Sequence, residues 1–361
     1  MALSLGIVGL PNVGKSSLFN ALSRAKANVS NYPFCTIDPN IGVVEVPDER
    51  LQTLTKMFSS KKTVPAVIEF YDIAGLVKGA SRGEGLGNKF LGNIREVDAI
   101  LHVVRCFQSE EIVHVEGAVN PRRDIEIINL ELSLADMSQV EKRQLFIKQK
   151  VKTGDTRAVR ENGVLQQLYD WLAKGKLARN FPFEEKDKEW LKEVSLLTLK
   201  PVLYAANVDE TGDEGQVEVV RAVAKEDGAG VVVISSKLEA ELAELSPEDA
   251  QAFLTELGMK ESALAKLIRA SYELLNLITF FTAGEKDSHA WTVTRGAKAP
   301  QAAGKIHSDM ERGFIAAEVV HYADMIACGS FAAAREKGLL HTEGKEYVVE
   351  DGDLILVRFV V

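Results

Sequence analysis

Three observations predict an α/β protein built on a doubly wound, mainly parallel sheet. Short apolar runs rich in β-branched residues recur between helical stretches. A phosphate-binding motif sits between the first run and the first helix. A long amphipathic stretch breaks the rhythm, and a small β-rich piece closes the chain. The runs span residues 4–9, 66–72, 99–105, 201–208 and 230–235, mainly apolar, as strands covered by helices on both sides are. From Asp124 onward Ile127, Leu130, Leu134 and Met137 recur at spacings of three and four, which predicts one long helix with that stripe inward. Thr153-Gly154-Asp155 interrupts it, and Val164, Leu165, Leu168, Trp171 and Leu172 resume the spacing. The two segments make an antiparallel α-helical coiled-coil hairpin inserted between strands. Residues 261–277 read as a further helix, with Leu264, Leu267, Ile268, Tyr272 and Leu275 on one side. Beyond it, strand-like runs at 279–281, 290–294, 316–320 and 354–359 alternate with Gly, Pro and Asp.

A chain of 361 residues, 46% hydrophobic and 26% charged, has room for two or three domains and is neither disordered nor collagen-like. No apolar run approaches the roughly 18 residues of a membrane span. The N-terminus has no positive segment before its apolar stretch, so a soluble, cytoplasmic protein with no membrane partner is expected. The three cysteines form no CxxC pair, which argues against disulfides and zinc. Net charge is −9, wrong for coating nucleic acid or for DNA specificity. The average conceals an asymmetry: residues 141–180 carry ten Lys/Arg against four Asp/Glu, and residues 205–262 four against fourteen. The basic stretch reads either as a solvated helix face or as a surface for phosphates, with Lys148, Lys150, Lys152 and Arg157 as its candidates.

Gly9-Leu10-Pro11-Asn12-Val13-Gly14-Lys15-Ser16 matches the P-loop pattern between a strand and a helix. In that context Asn12, Val13, Gly14, Lys15, Ser16 and Ser17 present backbone N–H groups and a positive helix end to phosphates. Lys15 reaches the β- and γ-phosphates and the Ser16 hydroxyl binds Mg²⁺. At the end of another strand Asp72-Ile73-Ala74-Gly75 supplies the second half: Asp72 holds Mg²⁺ through water, and the Gly75 N–H meets the γ-phosphate. Between them, in a Pro- and Asn-rich loop, Thr36 is the hydroxyl placed for Mg²⁺ and the γ-phosphate. Six glycines from Gly75 to Gly92 permit a loop that reorganises when the γ-phosphate leaves. Leu76 stands where Ras-type GTPases carry a water-positioning Gln, so another group or a partner must assist hydrolysis.

Base specificity is written in Asn207-Val208-Asp209-Glu210. The guanine-reading pattern is NKxD, whose Asp accepts two hydrogen bonds from the guanine edge. Here Val208 replaces the Lys, and Glu210 is one methylene too long. Asn207 and neighbouring backbone suit the donor and acceptor of adenine, so ATP is the expected nucleotide. A slip of Asp209 into the guanine-reading place is the competing reading.

The P-loop, the run from Asp72 through Gly85 to Leu91, the segment 31–37, Asn207 to Glu210 and Ala299 to His307 together resemble the OBG-type GTPase superfamily of the TRAFAC class. The likeness to its YchF branch, also called OBG-like ATPase, is close. The resemblance covers essentially the whole chain. It implies a nucleotide-binding domain over 1–277, interrupted by a helical insertion at 124–200, and a C-terminal TGS domain of β-grasp fold over 278–361. It also implies ATP hydrolysis with Mg²⁺ at Ser16 and Thr36, and base recognition by Asn207 and Val208. The implied partner is the ribosome, as its large subunit or the assembled 70S particle, together with ribosomal RNA. Members carry a hydrophobic residue after the DxxG motif, as Leu76 does, and use a loop histidine, here His114, in catalysis. A GTP-specific GTPase, a small-molecule kinase and an RNA-binding adaptor with little turnover are the alternatives.

Overall fold

The computed structural model of the chain describes residues 3–24, 40–73, 86–109, 112–209 and 212–360. Among the described residues seven strands precede residue 277: β1 (Ser4–Val8), β2 (Ile41–Glu45), β3 (Lys62–Val64), β4 (Val67–Asp72), β5 (Ala99–Arg105), β6 (Val202–Asn207) and β7 (Gly230–Ile234). Six of them form one sheet in the order β2-β4-β1-β5-β6-β7. Every pairing is parallel except β2 with β4 at the edge. Strands β1, β5 and β6 are buried along their whole length, which is why they read as continuous apolar runs. In a doubly wound sheet, ligands meet the carboxyl ends of the strands. Val8, Asp72, Arg105 and Asn207 stand at those ends.

The long helix runs Pro121–Lys152, capped by the Asn120 side chain accepting from Arg123 N. Its partner, Thr156–Leu172, is capped by Asp155 after a turn with Gly154 at φ +77°. The expected stripe needs correction. Leu130 and Leu134 are exposed, and the buried face is Ile125, Ile128, Leu132 and Ala135. The first half of this helix packs on β5, so the sheet, and not the hairpin partner, sets which face turns inward. Farther out, Val140 and Ile147 meet Leu165, Leu168, Leu172 and Trp190 in a separate core. The helix expected over 261–277 is Ala263–Leu274, capped by Ser262.

The remaining strands are β8 (Leu277–Ala283), β9 (Asp287–Thr294), β10 (Phe314–His321), β11 (His341–Glu343) and β12 (Asp353–Phe359), in a mixed sheet of order β11-β10-β12-β8-β9-β3. One face carries Ile278, Phe280, Val293 and Ile355 against Ala302 and Ala303 of helix Ala299–Ile306. The opposite face, with Phe281, Ala290 and Leu354, joins the large core that includes Leu51 and Leu54 of helix Glu49–Met57. The edge strand β3 comes from the first half of the chain and pairs Lys62 to Val64 with Asp287 to His289. Among the described residues no helix is long and apolar enough to cross a membrane.

Candidate nucleotide site

After β1 the chain turns tightly over the sheet. A Cβ at Gly9 would lie 2.5 Å from the Val103 carbonyl oxygen of β5, so only glycine allows that approach. Asn12 takes a left-handed conformation at φ +61°, which Asn tolerates better than most residues. Gly14 has φ +92°, and a Cβ there would sit 2.1 Å from Asn207 Nδ2. The close approach has a purpose: Asn207 Nδ2 donates to the Val13 carbonyl at 2.8 Å, and its Oδ1 accepts from Ser236 N at 2.9 Å. Asn207 is thus a buried strut between the P-loop and the segment after β7. Helix Lys15–Arg24 starts at once, with Leu18, Ala21 and Leu22 anchoring it in the core.

Lys15 is 9% exposed. Its Nζ donates to the carbonyls of Gly9 at 3.2 Å and Leu10 at 2.9 Å. Burial lowers its pKa, opposed by the charge of Asp72. Burial raises that of Asp72 in turn, opposed by Lys15. A desolvated ammonium held by two loop carbonyls keeps donor capacity for an anion. The donors that the sequence assigned to Mg²⁺ are oxygens, the Ser16 hydroxyl on the exposed helix N-terminus and the Asp72 carboxylate at the end of β4. Among the described residues no group of three or more His, Cys, Asp or Glu could hold a metal alone. That sparse oxygen set fits Mg²⁺ bound jointly with substrate phosphates.

A cavity of about 950 Å³ opens here, of the size that encloses a nucleotide-sized ligand. Asn12, Gly14, Lys15, Ser16 and Ser17 form one wall, and Asn207, Val208 and Asp209 another. Val13 is buried beneath the loop and offers only backbone. The Asp209 Oδ1 accepts from Gly212 N at 3.0 Å. Sequence reasoning missed Phe107, Gln108, Ser109 and Ile112, and also Ser236, Lys237 and Glu241, all of which line the cavity. The segment after β7 was discoverable from its place at a strand's carboxyl end. Phe107 carries the same signal, two residues past the end of β5. Buried Arg105 holds it, with its guanidinium 4.4 Å from the ring centre and its Nε donating to the Phe107 carbonyl at 3.1 Å.

His114 does not line this cavity. It is buried, with Nε2 2.8 Å from Asp124 Oδ2 and Nδ1 accepting from Glu116 N at 3.1 Å. With Nδ1 an acceptor, the neutral ring carries its proton on Nε2 and donates to Asp124. The residue before it is tied to the P-loop, since Asn12 Nδ2 donates to the Val113 carbonyl at 3.2 Å. Thr36, Gly75, Leu76, Cys35 and Glu210 lie outside the described residues. Burial pushes the Cys106 thiol up to about 12, which makes it inert.

Residues 4–147 match a family described as 50S ribosome-binding GTPase, and residues 277–360 one described as YchF-GTPase_C, of unknown function. The ribosome-binding ATPase YchF of Bacillus subtilis is 56% identical over the full length of both chains. That of Escherichia coli O157:H7 is 49% identical, also over the full length of both. The solved YchF GTPase of Schizosaccharomyces pombe superposes with a TM-score of 0.89 at 38% identity, covering 99% of this chain and 97% of that one. A GTP-binding protein of Pyrococcus horikoshii, at TM-score 0.63 and 20% identity over 99% of this chain and 100% of that one, shares the fold. An intact P-loop, an Asn207 strut followed by Val208 where the guanine-reading pattern has Lys, and this full-length likeness lead to one conclusion: the chain belongs to the YchF family.

Proposed function

We propose that the chain is a Mg²⁺-dependent ATPase that works on the ribosome, in the cytoplasm, with hydrolysis switching its conformation. The curated relatives bear the name ribosome-binding ATPase, whereas the solved Schizosaccharomyces pombe protein is named a GTPase. The observation that carries the choice is at the end of β6. Val208 supplies no stem over the base, and the Asp209 carboxylate is engaged by Gly212 N. Guanine reading draws on both oxygens of an aspartate, and here Oδ1 is turned onto the chain's own Gly212 N.

In this reading Asn12 to Ser17 cradle the phosphates, and Lys15 moves its ammonium from the Gly9 and Leu10 carbonyls onto the β- and γ-phosphates. Ser16, Thr36 and Asp72 are the protein's oxygen donors for Mg²⁺, which when bound neutralises charge on the transferring phosphoryl group. Gly75 offers its N–H to the γ-phosphate. Asn207 and Val208 form the adenine side. His114 contributes only after leaving Asp124, which couples its release to the Val113–Asn12 contact. Residues 1–277 form the nucleotide-binding domain, interrupted by the helical insertion at 124–200, and residues 278–361 form the TGS domain.

The test is sedimentation of the intact chain with purified ribosomes and their separated subunits, alongside ATP turnover with and without a divalent-cation chelator. Co-sedimentation with 70S particles or large subunits, and turnover that chelation abolishes, are expected. Failure to co-sediment in any nucleotide state overturns the ribosomal reading, and chelator-resistant turnover overturns the Mg²⁺ assignment.

A further inference from the structure

The outer half of helix Pro121–Lys152 presents Leu145 and Phe146 to solvent, at 67% and 72% exposure. They sit in a stretch rich in positive charge. Phe146 lies four residues after Lys142 and four before Lys150, so the three share one helical stripe at intervals of about 6 Å. Lys148 and Lys152 follow Leu145 at spacings of three and seven on the neighbouring stripe. All four lysines are exposed, and among the described residues none is ion-paired. Arg143, by contrast, is fixed. Its Nε is bonded to Glu161 at 2.5 Å and one terminal nitrogen to Glu193 at 2.7 Å, with the guanidinium 5.4 Å from the centre of the Phe146 ring. The ring is therefore supported on one side by an anchored cation and mostly open to water.

We propose that this lysine–phenylalanine–lysine stripe docks single-stranded RNA, with an unpaired base stacked on Phe146 and phosphates on Lys142 and Lys150. An aromatic face flanked by unpaired cations is what base stacking along a charged backbone requires. Protein interfaces deplete lysine at their cores, which disfavours a protein occupant. The proposal rests on the ribosomal reading and deepens it, by making an exposed unpaired segment of RNA the target of the hairpin.

The probe is a labelled single-stranded oligouridine, compared with a blunt RNA duplex of equal length, titrated against the intact chain. Phe146→Ala should weaken single-strand binding about tenfold while leaving the dependence on salt unchanged. The double variant Lys142→Gln/Lys150→Gln should flatten the salt dependence by about 0.7 per lysine. Phe146→Trp should retain affinity, and the duplex should bind weakly whether or not Phe146 is present. Phe146 lies outside the hairpin core, so an unchanged unfolding midpoint excludes misfolding. Single-strand affinity within twofold of the parent for Phe146→Ala, equal binding of duplex and single strand, or Phe146-dependent binding to phosphatidylserine vesicles without RNA binding would each overturn the proposal. If wild-type chain binds ribosomes but Phe146→Ala binds them and the oligouridine equally well, this inference fails and the ribosomal reading stands. If oligouridine binds through Phe146 while ribosomes do not bind, the reverse holds.

Discussion

Lys15 Nζ donates to two P-loop carbonyls, Gly9 and Leu10, and in the proposed function nucleotide binding exchanges these internal acceptors for phosphate oxygens. That exchange matters most where charge develops as the bond breaks. Lys15→Ala and Ser16→Ala should each reduce ATP turnover at least about 100-fold, measured as phosphate release at saturating nucleotide. Turnover close to wild type in either variant contradicts the site. His114 makes a different kind of prediction, because it touches Asp124 and Glu116 but not the cavity. His114→Ala should lower kcat while leaving nucleotide affinity nearly intact, the mark of an interaction made on the way to the transition state. An equal rate would leave His114 as a structural residue of the loop.

At the scale of elements, the link between β2 and β4 leaves the sheet to which both belong. Helix Glu49–Met57 and β3 reach the second sheet and return to β4, which ends at Asp72. Arg50 fastens this excursion. It donates to Asp48 at 2.8 Å and to Asp351 at 2.7 Å, lies 5.2 Å from the Phe281 ring centre, and Asp351 also accepts from Thr279 N at 2.9 Å. Burial alone would raise the Asp351 pKa, but the Arg50 bond, the Thr279 N–H and nearby positive charge together hold it below 3.8. Arg50→Ala should destabilise the chain by about 1–2 kcal/mol in urea at neutral pH. His102 on β5 is buried against Tyr204, and burial first, then Arg179 and Lys15, lower its pKa to about 3. The unfolded chain binds that proton below 6.5 and the folded chain does not, so stability present above pH 6.5 is lost as pH falls toward 3. Between roughly pH 7 and 5.5 the wild type should lose about 1 kcal/mol more than His102→Gln. Equal losses would mean that His102 is protonated in the folded chain.

At the scale of the whole molecule, what the sequence reveals depends on how local the cause is. β1, β5 and β6 are buried on both faces and read directly as apolar runs. β3 was illegible, because three residues become a strand only by pairing with β9 from the far end of the chain. The inward face of helix Pro121–Lys152 was misread for a similar reason: its first half answers to the sheet and its second half to the hairpin partner. The P-loop was legible as one contiguous motif. Asn207 was legible as a residue, but its bonds to Val13 and Ser236 bring together three segments distant in sequence. Phe107 became part of the cavity through Arg105. The second sheet is completed by β3 and held by Arg50, and residues of both sheets share one apolar core.

The central claim is the identity of the base, and a side-by-side titration of the nucleotide-free chain with ATP and GTP in the presence of Mg²⁺ tests it most directly. With Val208 lining the cavity and Asp209 bonded to Gly212 N, ATP should bind at least as tightly as GTP. A GTP affinity more than tenfold above that for ATP, a difference of about 1.4 kcal/mol, would contradict the account and make this site a reader of guanine.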